Sequence, residues 1–150
     1  MTRIPKTALF LGLAGIIPFL WGVVTAVNVG LSEWTIYYFG PHFVGSNVQL
    51  IYGTIILSFM SGALWGFASK FSRKPRSLNY ILSVVPALWA FLIIGDNIEA
   101  ATRNLIAGFL GLLMLDWYFW KQGLAPKWWV RLRFFLTVLV VLCLGIGAYF

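Results

Sequence analysis

Acidic residues are nearly missing from this sequence: four Asp and Glu in 150 residues, against eleven Lys and Arg, with all charged residues making up only 10% of the chain. There is one cysteine, Cys143, so an internal disulfide framework is excluded. There is one histidine, His42, with no cysteine or second histidine nearby, and Glu33 alone does not complete a metal site with it. A Gly-x-Ser-x-Gly elbow, a phosphate-binding glycine loop, a His-Glu-x-x-His pair and a CxxC pair are all missing. The sequence therefore shows no catalytic, cofactor-binding or metal-ligating set, and it does not read as an enzyme. Scarce charge also excludes a soluble domain, which would be roughly 25% charged and about half apolar. What the chain has instead is 61% hydrophobic and 18% aromatic residues, with a mean hydropathy of +0.88.

A membrane helix needs roughly 20 apolar residues to cross about 30 Å of hydrocarbon. Five runs qualify, over 7–29, 48–69, 78–95, 105–120 and 134–150. None alternates with a period of two, so a β-barrel is a poor fit. The expectation is an all-α integral membrane bundle of five transmembrane helices in a single transmembrane domain over 1–150. The last three runs are near the short limit and would stand almost upright. Of the connections, 30–47 is the longest. Its Trp34, Tyr37, Tyr38 and Phe39 point to a segment lying at headgroup depth.

The charges then set the orientation. With five crossings, ten of the eleven basic residues fall on one side: Arg3 and Lys6, then Lys70, Arg73, Lys74 and Arg76, then Lys121, Lys127, Arg131 and Arg133. The other side holds Arg103 with Glu33, Asp96 and Glu99. By the positive-inside rule the N-terminus is cytoplasmic and the C-terminus lies on the opposite side. The net charge of +7 thereby reads as topology and contact with anionic headgroups, not as nucleic-acid binding. Val24-Thr25-Ala26 has the small-residue spacing of a signal-peptidase site, but the run from Thr7 is long enough to cross, and an uncleaved anchor is expected.

Within the spans, Thr54, Ser58, Gly62 and Gly66 recur every four residues and form a small-residue face suited to close helix packing. It is expected to pack inside the bundle, with a homodimer seam as the alternative; on either reading Gly62→Leu should destabilise the protein. Pro18 frees the carbonyl of Ala14 and Pro86 that of Leu82, so both are expected to kink their helices. Trp34, Trp117, Trp120, Trp128 and Trp129 read as interfacial belt, whereas Trp21, Trp65 and Trp89 lie deeper and need acceptors for their indole N–H groups.

Asp116 is the one acid within an expected span. Intramembrane ionisable groups are functional candidates, but Arg131 and Arg133 open the next span on the same side. An ion pair across that hairpin is the favoured reading, with a ligand or proton role as the alternative. Glu99 precedes Arg103 by four residues, the favourable order for a helical surface pair. Asn47, Gln49, Tyr52, Thr54, Ser58 and Ser61 either line a path or bond between helices.

Several stretches resemble a known family. These are ALFLGLAGIIPF at 8–19, YGTIILSFMSG at 52–62 followed by Trp65-Gly66, SVVP at 83–86, Leu115-Asp116, Gly123, Pro126-Lys127-Trp128 and Arg131-Leu132-Arg133 with Thr137. Together they are similar to the small membrane proteins related to transmembrane protein 69, in order along nearly the whole chain. The resemblance implies a multi-span protein of bacterial membranes with mitochondrial relatives, and it carries no known activity or catalytic residue. Two departures stand out. Leu64 replaces a polar residue often found before the Trp-Gly pair, and the first outer connection is longer and more aromatic.

The expected role is an accessory, assembly or scaffold component of a membrane protein complex. Its partners would be the lipid bilayer and either other membrane subunits or a second copy, without nucleic acid or cofactor. A small oligomeric transporter or channel is the alternative, and an enzyme acting on lipid or quinone the third reading. The expected location is the bacterial cytoplasmic membrane, or the mitochondrial inner membrane in a eukaryote.

Overall fold

In hydrocarbon a backbone must satisfy its own hydrogen bonds, and an open apolar chain does so as helix. The computed structural model describes residues 3–70, 76–93, 95 and 97–150; among them there are helices and no strand. Arg73, Lys74 and Asp96, counted above, lie outside the described residues. The helices are α1 (Lys6–Ala14), α2 (Ile17–Val27), α3 (Val29–Phe39), α4 (Gly45–Lys70), α5 (Ser77–Leu92), α6 (Ile98–Lys121) and α7 (Trp129–Tyr149). Among the described residues, four segments are long and apolar enough to cross a membrane: Lys6–Val27, Gly45–Lys70, Ile98–Lys121 and Trp129–Tyr149. α5 is a shorter apolar helix of 16 residues.

The first apolar run is broken. The Ile16 N–H reaches the Leu13 carbonyl at 3.0 Å, and the Phe19 N–H reaches Ile16 at 3.0 Å, so the chain tightens to three-residue turns between α1 and α2. Pro18 sits in the first turn of α2, where its missing N–H is harmless. Pro86 lies inside α5 and does not interrupt it. Beside it, the Ser61 hydroxyl of α4 donates to the Ser83 carbonyl and ties the two helices together.

Two helices start earlier than the hydropathy suggests. Asn97 caps α6 by accepting from the Ala100 N–H at 3.0 Å, so the helix already includes 98–103, ahead of the run expected from 105. α7 begins at Trp129, which places Arg131 and Arg133 on its first turns. Between α6 and α7, Gly123 adopts φ +74°, open to glycine at little cost. The Leu124 N–H then bonds to Phe119 (3.0 Å) and the Gly123 N–H to Trp120 (2.9 Å), a Schellman close that turns the chain back sharply.

Segments successive along the chain run antiparallel. At one end the Thr25 hydroxyl of α2 accepts from the Gly45 N–H at 2.8 Å, and Ser46 donates to the Gly147 carbonyl of α7 at 2.7 Å. At that same end Trp89 of α5 donates to the Asn104 carbonyl of α6 at 2.8 Å. The core between the helices is apolar and includes Phe19, Leu57, Leu64, Leu105, Phe109, Leu112, Phe119 and Leu144. Large apolar side chains cover the outside, among them Phe10, Phe59, Phe91 and Met114, as a lipid-facing surface requires.

Candidate functional site

The Schellman turn brings α6 and α7 together where the one intramembrane acid stands. Asp116 is fully buried, and the Arg133 Nε donates to its Oδ2 at 2.8 Å. The Trp129 Nε1 donates to Oδ1 at 2.7 Å. Each carboxylate oxygen thus has a strong donor, and the pair is neutral as a unit. Arg131 is exposed and stands away from this pair: two residues from Arg133 on a helix, it points to another side. Trp129 is half-buried, and its ring also packs edge-on against Phe67 of α4 at 5.0 Å, so it serves the interior and not the belt. The Arg133 Nη2 and the Thr137 hydroxyl, one turn on, are buried with no hydrogen-bond partner among the described residues.

A second polar centre lies toward the other end. Gln49 of α4 is 0% exposed. Its Nε2 donates to the Phe19 carbonyl of α2 at 2.9 Å and to the Cys143 carbonyl of α7 at 3.0 Å. One side chain therefore bridges three helices. Two glycines make the room. A Cβ on Gly147 would land on the Gln49 amide, and one on Gly22 would meet Gln49 and the Gly45 carbonyl oxygen at 2.8 Å. The Gln49 Oε1 has no N–H or O–H donor among the described residues. Because a Cβ on Gly147 would fall on that oxygen, the α-hydrogen it replaces points there, a weak C–H···O contact.

The face of Thr54, Ser58, Gly62 and Gly66 does not pack inside the bundle. α4 buries Gln49, Gly53, Leu57, Met60, Ser61, Leu64 and Ala68 instead. Thr54 is half-buried, Ser58, Gly62 and Gly66 are exposed, and a Cβ on either glycine would meet nothing within 4 Å. The expected internal packing is thus overturned. A stripe repeating every four residues marks one face of a helix, but it does not say which neighbour lies opposite. Thr54 and Ser58 donate to carbonyls of their own helix, Ile51 and Thr54, which leaves the stripe smooth. Beside it run two shallow grooves of about 350 and 340 Å³, shared at Thr54 and Ile55 and walled by Ile93, Ile98, Ala87 and Phe91.

With this face open, Gly62→Leu is expected to leave the thermal stability of the isolated chain within about 0.5 kcal/mol, as for a surface substitution. Unfolding followed by intrinsic fluorescence in mild detergent checks it.

The remaining candidates are structural or superficial. Trp21 donates to the Phe43 carbonyl at 2.9 Å, so it and Trp89 both find backbone acceptors. The Trp65 ring lies edge-on to Tyr80 at 4.8 Å. Glu99 and Arg103 pair at 2.6 Å on the exposed side of α6, where such a pair adds little. Among the described residues, no group of three or more His, Cys, Asp or Glu side chains gathers to hold a metal.

The Asp116–Arg133 hairpin is legible from the sequence, whereas Gln49 as a centre is not. Gln49 stands there only as one polar residue of six. The glycines that admit it lie 27 and 98 positions away, counted from Gly22 and Gly147, and no local pattern connects them.

Comparison with known proteins adds the lineage. Two relatives named "Transmembrane protein 69" match: one from Xenopus tropicalis, 39% identical over 144 residues, which are 93% of this chain and 53% of the relative; and one from Mus musculus, 31% identical over 142 residues, 89% of this chain and 52% of the relative. The chain thus spans about half the length of these relatives. No solved structure matches it. A family model described as "Protein of unknown function (DUF3429)" matches residues 4–149. With the same bundle-forming helices running through the whole matched region, this multi-pass membrane chain belongs to the DUF3429 family.

Proposed function

We propose that the protein is an accessory, assembly or scaffold component of a larger membrane complex. It would cross five times, with α5 as the fifth span and the N-terminus cytoplasmic, and it would reside in a bacterial cytoplasmic membrane. The observation that carries this reading is the open face of α4. In lipid, helices associate through small residues that let backbones approach. This chain presents Ser58, Gly62 and Gly66 outward, where none of the described helices packs on them. Its interior polar groups, by contrast, mostly serve its own helices, as in Asp116 with Arg133 and Trp129. The antiparallel course of the five apolar segments and the basic character of alternate connections support the topology.

Extraction in mild detergent followed by a native gel tests the reading. The wild-type chain is expected in an assembly larger than one copy, with partner subunits identified in the band. Gly62→Leu should release the chain from that assembly while its own unfolding temperature stays put. A wild-type chain that runs alone as a monomer removes the support for a scaffold.

A further inference from the structure

α4 and α6 end, and α5 and α7 begin, at the same end of the bundle, and the side chains there form a cationic rim. Arg76, Lys121, Lys127 and Arg131 stand on it exposed, with Lys6 at the start of α1. Described carboxylates do not offset them. Asp116 is buried and held by Arg133. Glu99 is bound to Arg103 near the start of α6, at the opposite end, and Glu33 lies on α3 beyond that same opposite end. The rim therefore carries uncompensated positive charge.

Two of its cations are also positioned. The Lys121 Nζ sits 4.9 Å from the centre of the Trp117 ring. Arg76 donates to the Gln122 Oε1 at 3.5 Å, a long hydrogen bond that draws it toward the end of α6. Trp117 and Trp120 are partly exposed just inside the rim, and such rings settle at headgroup depth. The apolar helices beneath fix that depth, so the rim meets phosphates and not hydrocarbon.

We infer that this rim is a docking surface for anionic phospholipid headgroups, which it prefers over zwitterionic ones. The complementarity is of charge: a row of ammonium and guanidinium groups without nearby carboxylates faces phosphodiesters that bear a net negative charge. Each Lys or Arg at such a surface contributes up to about five-fold in attraction at low salt. Charges set within about one Debye length of a headgroup plane combine their effects. This inference does not depend on the scaffold reading.

Lipid-specific quenching tests it. The full chain is placed in phosphatidylcholine vesicles containing about a quarter phosphatidylglycerol. Tryptophan emission is compared with bromine on the acyl chains of one lipid or of the other, at equal amounts of bromine. Stronger quenching by brominated phosphatidylglycerol, falling as salt rises, is the expected result. The combined variant Arg76→Gln, Lys121→Gln, Lys127→Gln should lower the preference at least about five-fold, Lys6 and Arg131 keeping the remainder. Arg103→Gln, at the other end, should leave the preference intact. Equal quenching of the wild-type chain by both lipids overturns the proposal without any variant. So does a preference that persists in high salt or that is unchanged in the combined variant.

Discussion

Asp116→Leu is expected to cost about 3–5 kcal/mol of stability, because it leaves Arg133 buried and uncompensated. Arg133 is 6% exposed, and its Nε would lose the carboxylate at 2.8 Å. Water cannot readily replace that acceptor at this depth in a membrane. Arg133→Leu should do comparable damage by stranding the carboxylate, which would keep only Trp129. The two changes together should be much milder than either alone, within about 1 kcal/mol of wild type. The double variant removes both charges and also the unpartnered Arg133 Nη2. Thermal unfolding of the four proteins in mild detergent completes the cycle. Additive losses would show that Asp116 and Arg133 act separately. Exchanging the two residues should recover part of the loss, though not all, since the Trp129 N–H would then face a cation.

The second large effect is at the Gln49 crossing, where two glycines fail differently. Gly147→Ala sets a methyl whose three nearest neighbours are all atoms of the Gln49 amide. Gly22→Ala sets it against Gln49 and also against the Gly45 backbone oxygen at 2.8 Å. Overpacking of this kind costs about 1–3 kcal/mol. Gly22→Ala should lie at the upper end, because a helix backbone yields less than a side chain. Shortening the obstacle distinguishes the two. Gln49→Ala should suppress most of the Gly147→Ala loss and only part of the Gly22→Ala loss, again read from unfolding temperatures. Equal rescue of both would mean that the Gly45 carbonyl moves freely.

These centres also show what the sequence holds and where it stops. The helical class follows from composition, because apolar runs without alternation leave few alternatives in lipid. Asp116 and Arg133 are legible as a pair because a short hairpin joins them and Asp116 is the one acid within reach. Which arginine answers is less legible: the choice between Arg131 and Arg133 depends on where α7 starts, and helix ends shift by a turn with caps that hydropathy does not weigh. The small-residue stripe is legible as a face, yet its direction depends on which side of α4 the other helices choose. That choice is made by Gln49, Gly53 and Leu57, with partners far along the chain. Pro18 announces an interruption, but the break falls at Gly15–Ile16, upstream of the ring. There the missing hydrogen bond is absorbed by a tighter turn.

The unequal lengths of α4 and α5 have a consequence for the bilayer itself. At 1.5 Å per residue, the 26 residues of α4 extend about 39 Å and the 16 of α5 about 24 Å. If α5 makes the fifth crossing, its apolar length falls about 6 Å short of an ordinary hydrocarbon core of about 30 Å. The Ser61–Ser83 bond holds it against α4 and limits sliding toward either surface. The lipid next to α5 must then thin, while α4 leans to keep its own apolar length submerged. Such a mismatch costs a fraction of a kcal/mol per Å. With α5 as a crossing, it would give the protein a standing preference for thin membrane, and a dimple around α5 that would draw in other short helices.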